Sequence, residues 1–308
     1  MKPLFVSWIR HHGRSAGLAD ALGAEAAFVA VGRLGDRRTA PLRYVVQSLR
    51  TVLLLIGKRP KVLYVMAPPT LLVAIAVVYG RLFRARVVVD AHTGAVLAND
   101  GAPKRSFARW AARASLTLVT NEPLAARLRD LGVQHVRTLD DPPAPWPVSG
   151  VAETEDVVFP ASWWSDEPWE DVVDAARLLP DVRFVVTGRA PAGVAGTTPP
   201  NVHLTGWLSD AEYAALVAGA RVVLALTTRA FTMQRAGYEA LAAHRPLVAS
   251  DTETLRAYFT SGAVFAGRGG AALAEAVRAA RADRRRLADE MAALHPETVR
   301  EFEAALPR

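Results

Sequence analysis

Leu226 to Asp251 read LTTRAFTMQRAGYEALAAHRPLVASD, which is the end of a strand, a polar loop, a helix and a second strand in succession. The apolar runs on either side have the residue types of buried parallel strands, and the residues between them have helical spacing. A helix that begins just beyond the carboxyl end of a strand presents unpaired N–H groups and the positive end of its dipole, which suits a diphosphate. We expect this helix to begin within residues 232–236, and Glu239, about a turn and a half later, to face the same pocket.

The candidate ligand-binding residues of this stretch lie at the helix start and one face of the helix. Thr232, Gln234 and Arg235 suit phosphate oxygens or sugar hydroxyls, and the carboxylate of Glu239 suits the hydroxyls of a ribose. The same letters also fit an ordinary strand–helix–strand unit, in which Ser250 caps the next helix with Glu253 as its capping-box partner and Glu239 is solvated. The residues alone leave both interpretations open.

The run GYEALAAHRPLVASD, residues 237–251, resembles the donor-site segment of GT-B glycosyltransferases, in particular the bacterial group 1 or family 4-like transferases of polysaccharide assembly. The resemblance implies an α/β fold with two doubly wound, Rossmann-like domains that face each other across a cleft. It also implies a nucleotide-sugar substrate and a ribose contact by Glu239. Many retaining members have a second Glu eight positions earlier, where this chain has Phe231, so that contact to the donor sugar is not carried over.

Short β-branched runs alternate with helical stretches along the whole chain, which predicts two parallel sheets covered on both faces. The segment 140–148, DDPPAPWPV, breaks this alternation and predicts a stiff connector. We therefore expect an acceptor-binding domain over residues 1–145 and a donor-binding domain over residues 152–308. Whether the final helix crosses back onto the first domain is left open by the sequence.

Charge is divided unevenly between the two predicted domains. Residues 1–150 hold 21 Lys and Arg against 9 Asp and Glu, whereas residues 151–308 hold 16 against 21. This division predicts an anionic partner for the first domain, either a membrane surface or a phosphate-bearing acceptor. No nucleic-acid-binding signature is present, so nucleic acid is not expected as a partner.

The expected location is the cytoplasm, with peripheral association at the inner face of the membrane. The chain has no Cys, which excludes disulfides and thiolate metal sites and suits a reducing compartment. The first apolar run is too short for a signal peptide, and no run is long enough to span a bilayer. The basic helix 104–113, with Phe107 and Trp110, is the one expected to touch lipid, and the apolar helix Thr70–Phe83 is expected to be buried against the sheet.

The candidate catalytic residues follow a strand of the first domain, in the run VVVDAHTG. His92 is the side chain most easily poised as a base near neutral pH, and Asp90 stands at the strand's end. Many GT-B enzymes have a His here, and the resemblance implies either a general base, in inverting members, or a donor-sugar contact, in retaining ones. The resemblance also implies an acceptor-side loop after the first strand, with His12, Arg14 and Ser15.

Further donor contacts are predicted at two loops of the second domain. Arg189 follows a strand, and the resemblance implies a contact with the donor diphosphate, with a surface-loop charge as the alternative. Gly206 with Trp207 resembles the loop that receives the nucleotide base. Ser209 and Glu212 fit a capping box for the next helix. No Asp-x-Asp motif occurs, so we expect no metal and no other cofactor, with arginines and the helix start stabilising the leaving diphosphate.

These observations predict a metal-independent glycosyltransferase of the hexosyltransferase class. Its expected reaction moves a sugar from a nucleotide-diphosphate sugar, in the first place a UDP-sugar, to a glycan or lipid-linked acceptor in cell-surface polysaccharide assembly. Two alternatives stay open. One is a nucleotide-sugar 2-epimerase-like enzyme that uses carboxylates such as Asp90, Asp100 and Glu122, and the other is a catalytically silent GT-B scaffold subunit.

Overall fold

The computed structural model describes residues 2–10, 12–32, 38–98, 101–143, 146 and 150–307. The chain forms two compact units, one of residues 1–142 with 302–308 and one of residues 143–301. Within the described ranges, each unit holds one six-stranded sheet, and all strand pairs inside these sheets are parallel. The residues outside these ranges include 144 and 145, which belong to the predicted connector, and Asp100, which is a candidate carboxylate of the epimerase alternative.

The first unit alternates strands and helices from its start. Its elements are β1 (Leu4–Ser7), α1 (Gly13–Ala21), β2 (Glu25–Phe28), α2 (Ala40–Lys58), β3 (Val62–Ala67), α3 (Thr70–Phe83), β4 (Arg86–Ala91), α4 (Thr93–Val96), α5 (Arg105–Ala111), β5 (Leu116–Val119), α6 (Glu122–Asp130) and β6 (Val136–Thr138). The strand order is β2-β1-β3-β4-β5-β6. The end of the chain belongs to this unit, because Phe302 packs in its core with residues such as Phe5 and Leu118.

The second unit repeats the pattern. Its elements are β7 (Val157–Phe159), α7 (Trp169–Leu178), β8 (Phe184–Thr187), β9 (Val202–Gly206), α8 (Asp210–Gly219), β10 (Val222–Ala225), α9 (Arg235–Ala242), β11 (Leu247–Ser250), α10 (Glu253–Tyr258), β12 (Ala263–Ala266) and α11 (Gly270–Ala282). The last helix, α12 (Arg284–Ala305), begins in this unit, and its residues from Phe302 onward belong to the first. The strand order is β12-β11-β10-β7-β8-β9. Strands β8 and β9 lie on one side of β7, whereas β10, β11 and β12 lie on its other side. The strand order therefore reverses between β7 and β10, which is the position at which doubly wound sheets bind ligands.

The second sheet is covered on both faces, as continuous apolar strands require. Val157 and Phe159 pack in one cluster with α7 and α11, whereas Val158 between them packs in another with α9 and α10. Alternate residues of β7 thus pack into the two hydrophobic cores that cover the opposite faces of this sheet. The predicted α/β class with two doubly wound units is confirmed.

The structure corrects one expectation about the basic helix 104–113. The helix found there is α5, and its Phe107, Ala108 and Ala111 are buried, while the ammonium of Lys104 donates to the carbonyl oxygen of Gly94 at 2.6 Å. Because Phe107 faces the protein interior, it cannot enter a lipid interface, and the expectation that this residue touches lipid is wrong. In the part of the chain that the structure describes, no helix is both long and apolar enough to cross a bilayer.

Candidate functional site

A pocket of about 550 Å³ lies at the carboxyl ends of the second sheet. The loops after β7, β8 and β9, together with parts of α8 and α9, form its wall. The lining residues are Pro160, Ala161, Ser162, Trp164, Glu167, Thr187, Gly188, Arg189, Trp207, Leu208, Asp210, Tyr213, Gln234, Arg235, Ala236 and Glu239. Its size lies within the range of small-ligand sites, and its place beside β7 and β10 is the switch point of the sheet.

Helix α9 begins on this wall, within the range predicted from the sequence. Its first residue is Arg235, and the preceding Gln234 is extended and gives no side-chain hydrogen bond to the first turn. Both residues line the pocket. A helix start of this kind favours a nearby anion, because its first N–H groups have no partner within the helix and the positive end of its dipole lies there.

The carboxylate of Glu239 is held on the same wall by two donors. Glu239 is only 7% exposed, and it accepts hydrogen bonds from the hydroxyl of Tyr213 and from Nε of Arg235, the latter at 2.9 Å. Burial and the charge of Glu239 raise the pKa of Tyr213 well above its ordinary value, so its hydroxyl stays protonated and donates. The acidic side chain is thus oriented before any ligand arrives.

The loop after β7 is closed by a buried carboxylate that sequence reasoning missed. Glu167 accepts the backbone N–H groups of Ser162 at 2.8 Å and Trp163 at 2.7 Å. Burial raises its pKa, and the two N–H bonds oppose that shift. The neighbouring Asp166 accepts from the hydroxyl of Thr227 at 3.1 Å, which joins this loop to the loop after β10. Both loops therefore shape the pocket as one polar network.

The loop after β8 combines a required glycine with an available cation. Gly188 has φ of +77°, and a Cβ atom added there would lie 2.3 Å from the carbonyl oxygen of Ala161. Only glycine fits this approach. Arg189 follows on the pocket wall, and within the described residues its side chain makes no hydrogen bond or ion pair. Trp207, 84% exposed, also lines the pocket and offers a free ring face.

The pocket thus brings together five of the seven predicted donor residues, namely Arg189, Trp207, Gln234, Arg235 and Glu239. Thr232 and Gly206 are not among the lining residues. The hydroxyl of Thr232 is buried and has no hydrogen-bond partner in the described chain. Gly206 has φ of +70° at the end of β9, so its role there is to turn the chain.

The capping residues around the pocket differ in part from the sequence expectation. Ser209 and Glu212 form the predicted capping box of α8. Ser250 is not the cap of α10, because its hydroxyl oxygen accepts the N–H of Thr227 at 2.9 Å. Thr252 caps α10 instead, accepting the N–H of Leu255 at 3.2 Å.

A second cluster of polar residues lies in the first unit, around the end of β4. Asp90 is 1% exposed, and it accepts a hydrogen bond at 2.9 Å from Nε of Arg14, which is 2% exposed. Arg14 also donates to Asp141 at 2.9 Å and to the carbonyl oxygen of Leu139 at 2.8 Å. Burial acts to raise the pKa of Asp90, but Arg14 and His92 hold it well below its ordinary value. Arg14 was predicted in the acceptor-side loop, and the structure buries its guanidinium between Asp90 and Asp141.

The two histidines of this cluster lie against each other. Nε2 of His92 is 3.3 Å from Oδ2 of Asp90, and the rings of His92 and His12 meet edge to face with centroids 4.8 Å apart. His12 is the N-cap of α1, where its Nδ1 accepts the N–H of the buried Ser15. Burial, and then the neighbouring His92, lowers the pKa of His12 to about 4, so His12 is neutral at pH 7.

The arrangement gives His92 a carboxylate neighbour and a neutral ring beside it. A carboxylate beside an imidazole orients the ring, which is what a proton-accepting histidine requires. The described residues contain no group of three or more His, Cys, Asp or Glu that could hold a metal ion.

Comparison with known proteins agrees with these features. Residues 167–303 match the family model described as glycosyl transferase-like. A search of curated sequences finds no match to the chain. Among solved structures, the chain is similar to HepE from Anabaena in complex with UDP, at 14% identity and a TM-score of 0.70, covering 98% of this chain and 96% of that one.

Two further structures extend the comparison. HepE in complex with UDP-glucose is matched at 14% identity and a TM-score of 0.69, covering 99% of this chain and all of that one (100%). Sucrose-phosphate synthase from Thermosynechococcus elongatus is matched at 13% identity and a TM-score of 0.77, covering 98% and 95%. The predicted fold is therefore confirmed: the chain has the GT-B fold. Its match to the glycosyl transferase-like family lies in the second half of the chain.

Proposed function

We propose that this protein transfers a sugar from a nucleotide-diphosphate sugar, with a UDP-sugar as the expected donor, to a glycan or lipid-linked acceptor. The observation that carries the proposal is the pocket of the second unit, where the start of α9 and the oriented carboxylate of Glu239 lie on one wall. The structures of HepE, which contain UDP and UDP-glucose, support the same ligand class for this fold.

Each part of a nucleotide diphosphate has a counterpart on the pocket wall. The start of α9 and the unpaired Arg189 suit the diphosphate, since both present positive charge. Glu239 suits the two ribose hydroxyls, which donate to a carboxylate. The exposed ring of Trp207 suits the base by stacking.

In the proposed reaction, an acceptor oxygen forms a bond to the anomeric carbon while that carbon's bond to the diphosphate oxygen breaks. The nucleoside diphosphate leaves with an additional negative charge, which the helix start and Arg189 stabilise. His92 takes the acceptor's proton in an inverting course, supported by the charge of Asp90. In a retaining course His92 contacts the donor sugar instead, and an oxygen of the departing diphosphate takes the acceptor's proton. The anomeric configuration of the product decides between these roles.

We also propose that the reaction needs no metal ion or other cofactor, because the cationic groups of the pocket stand where a metal would otherwise neutralise the diphosphate. Full activity after treatment with EDTA and desalting is the expected result. Loss of activity that added Mg²⁺ or Mn²⁺ restores would contradict this part of the proposal.

The acceptor and the place of the reaction follow from the charge of the first half. Its surplus of Lys and Arg supports an acceptor that carries phosphate, such as a lipid-linked glycan precursor of a cell-surface polysaccharide. The absence of Cys supports a cytoplasmic location, with the protein peripheral to the inner face of the membrane.

The first experiment is a thermal-shift screen of UDP, GDP, TDP and CMP and their common sugar conjugates on wild type and Glu239→Ala. A ligand at a hundredfold excess over its Kd adds about 2.7 kcal/mol to the stability of the state that binds it. The matched control is Glu253→Ala, which removes an exposed carboxylate from the neighbouring helix outside the pocket.

The proposal predicts a nucleotide-selective shift that Glu239→Ala abolishes and Glu253→Ala retains. A subsequent transfer assay should lose activity in His92→Ala while the nucleotide shift of that variant is unchanged. If no nucleotide shifts the wild type, the non-catalytic scaffold replaces the proposed enzyme.

A further inference from the structure

Helix α2 is amphipathic in the reverse of the usual sense. Its buried face includes the polar residues Gln47 and Thr51. The amide of Gln47 donates to the carbonyl oxygens of Trp8 and Val29, both at 2.9 Å, and the hydroxyl of Thr51 accepts from the indole of Trp8 at 2.8 Å. These buried polar groups are satisfied, so the orientation of the helix is fixed by specific contacts.

The outer face of α2 is apolar along its whole length. Leu42 and Leu53 are each 69% exposed, and the exposed large apolar residues recur every three to four positions as Leu42, Val45, Leu49, Val52, Leu53 and Ile56. That spacing places them on one stripe of the helix. A helix at the surface of a monomer normally turns such a stripe inward.

Helix α3 adds a second apolar surface beside the first. Leu82 is 73% exposed, and Leu71, Val78 and Phe83 are exposed with it. The helices α2 and α3 contact each other, and both connect strands that advance in the same direction across the sheet. Right-handed crossovers therefore place them on the same side. We call these exposed residues of α2 and α3 the α2–α3 face.

The α2–α3 face holds most of the exposed apolar side chains of the molecule. Ten of the fourteen exposed large hydrophobic residues in the described chain belong to it, and Tyr44 of α2 is an eleventh on the same two helices. Scattered exposed apolar residues are normal, but a contiguous set marks an interaction surface.

The charges on and around this face identify the partner. Residues 38–86, which contain both helices, hold nine Lys and Arg and no Asp or Glu. Within the described residues, Arg50, Arg81 and Arg84 are exposed and their side chains make no hydrogen bond or ion pair. Two copies of the face would bring like charges together, which disfavours a homodimer through this surface. Exposed leucines beside unpaired arginines instead match a bilayer interface, in which apolar groups enter the acyl boundary and cations meet anionic headgroups.

We propose that the α2–α3 face docks the protein on an anionic lipid bilayer. Leu49, Leu53 and Leu82 enter the interface, and Arg50 and Arg81 contact the headgroups. Docking requires no nucleotide, so this inference stands independently of the donor pocket.

The test is cosedimentation of the full chain with phosphatidylcholine vesicles, prepared with and without one-third phosphatidylglycerol. The apolar variant is Leu49→Ser, Leu53→Ser and Leu82→Ser, and the charge variant is Arg50→Glu and Arg81→Glu. All five positions are exposed, so circular dichroism should show folded variants. The matched control, Arg285→Glu and Arg300→Glu, reverses two exposed arginines that likewise make no described contact.

Wild type and the control should bind the anionic vesicles, and binding to pure phosphatidylcholine should be much weaker. The charge variant should bind at least about 30-fold more weakly, because each basic residue near such a surface contributes about fivefold. The apolar variant should also lose binding. Raising the ionic strength from about 0.1 M to about 1 M should weaken wild-type binding, since the Debye length falls from about 10 Å to about 3 Å.

Three outcomes would overturn the inference. One is no binding of wild type to anionic vesicles at low salt, and another is an equal loss of binding in the control. The third is a solution dimer that the apolar variant dissociates while its vesicle binding is unchanged, which would make the face an interface between two copies. A nucleotide-dependent thermal shift that survives any of these results would leave the proposed donor site intact.

Discussion

Replacing Glu239 with Gln removes one negative charge from the pocket while keeping the shape of the side chain. In the structure, one carboxylate oxygen accepts from Nε of Arg235 at 2.9 Å, and the other accepts from the hydroxyl of Tyr213. The amide oxygen of Gln can keep the bond to Arg235, and its NH₂ group can donate to the hydroxyl oxygen of Tyr213. The wall should therefore remain folded, which makes the change a test of charge.

The expected loss of affinity follows from the hydrogen bonds to the ribose. A hydrogen bond to a charged group contributes about 1.5–3 kcal/mol, whereas a neutral one contributes about 0.5–1.5 kcal/mol. Glu239→Gln should thus cost about 1–1.5 kcal/mol for each ribose hydroxyl. Two hydroxyls give about 2–3 kcal/mol, which corresponds to a Kd raised roughly 30- to 150-fold.

Isothermal titration calorimetry with UDP and 2′-deoxy-UDP measures this loss directly. Wild type should prefer the ribonucleotide, and Glu239→Gln should lose most of that preference, because the removed charge acts on the ribose hydroxyls. The control Glu253→Gln, an exposed position outside the pocket, should behave as wild type. A Kd for Glu239→Gln close to that of wild type, or an unchanged preference for ribose, would refute the assignment of Glu239.

Three further predictions concern stability: two test polar networks, and one tests a close backbone approach. Arg14→Met leaves the buried Asp90 without its cation, so urea unfolding should show a loss of about 3–5 kcal/mol, which adding Asp90→Asn partly restores. A smaller effect than at an exposed arginine would contradict the buried pair. The pKa of His12 is lowered to about 4 in the folded state against 6.5 for the free group. Between these two pKa values the unfolded chain binds a proton that the folded protein does not. The free energy of unfolding is therefore highest above pH 6.5, and the titration of His12 lowers it by about 2 kcal/mol by pH 5. His12→Asn keeps the helix cap and should remove that part of the pH dependence; an unchanged difference between pH 7 and pH 5 would count against it. Gly188→Ala adds a Cβ atom 2.3 Å from a carbonyl oxygen, so it should destabilise the protein by about 1–3 kcal/mol more than Gly193→Ala, which has a positive φ but nothing within 4 Å. Equal melting temperatures for the two glycine variants would show that the close approach is absent in solution.

The strands and helices were predictable because their signals are local. Helix α3 was predicted with its observed bounds, Thr70–Phe83, from helical spacing and a nearly unbroken apolar run over residues 71–79. The edge strand β6 was missed, since its three residues are only partly buried and carry no apolar run. The orientation of a helix is not local. Helix α2 turns Gln47 inward because the carbonyl groups that Gln47 binds belong to residues far away in the chain, which a periodic pattern cannot show.

In the candidate donor site, too, the features with a local sequence signal were predictable, and those that depend on contacts between distant residues were not. The start of α9 and Glu239 were predictable, because a strand, a helix start and a carboxylate follow one another within a few residues. Tyr213 lies 26 positions before Glu239, and only the packing of α8 against α9 brings its hydroxyl to that carboxylate. Glu167 was missed because its partners are backbone N–H groups of its own loop, and any residue type supplies such groups.

The basic character of the first half has two separate causes, which the sequence could not distinguish. Arg14 contributes to the count of positive charges, but its side chain is buried and paired with Asp90 and Asp141 inside the protein. Residues 38–86 contain no Asp or Glu, and Arg50 on α2 and Arg81 on α3 stand beside exposed leucines. A count of charges therefore predicts an anionic partner correctly only if the unpaired charges are the ones at the surface. The loss of vesicle binding in the variant of Arg50 and Arg81, with full binding in the variant of Arg285 and Arg300, is the measurement that separates local charge from net charge.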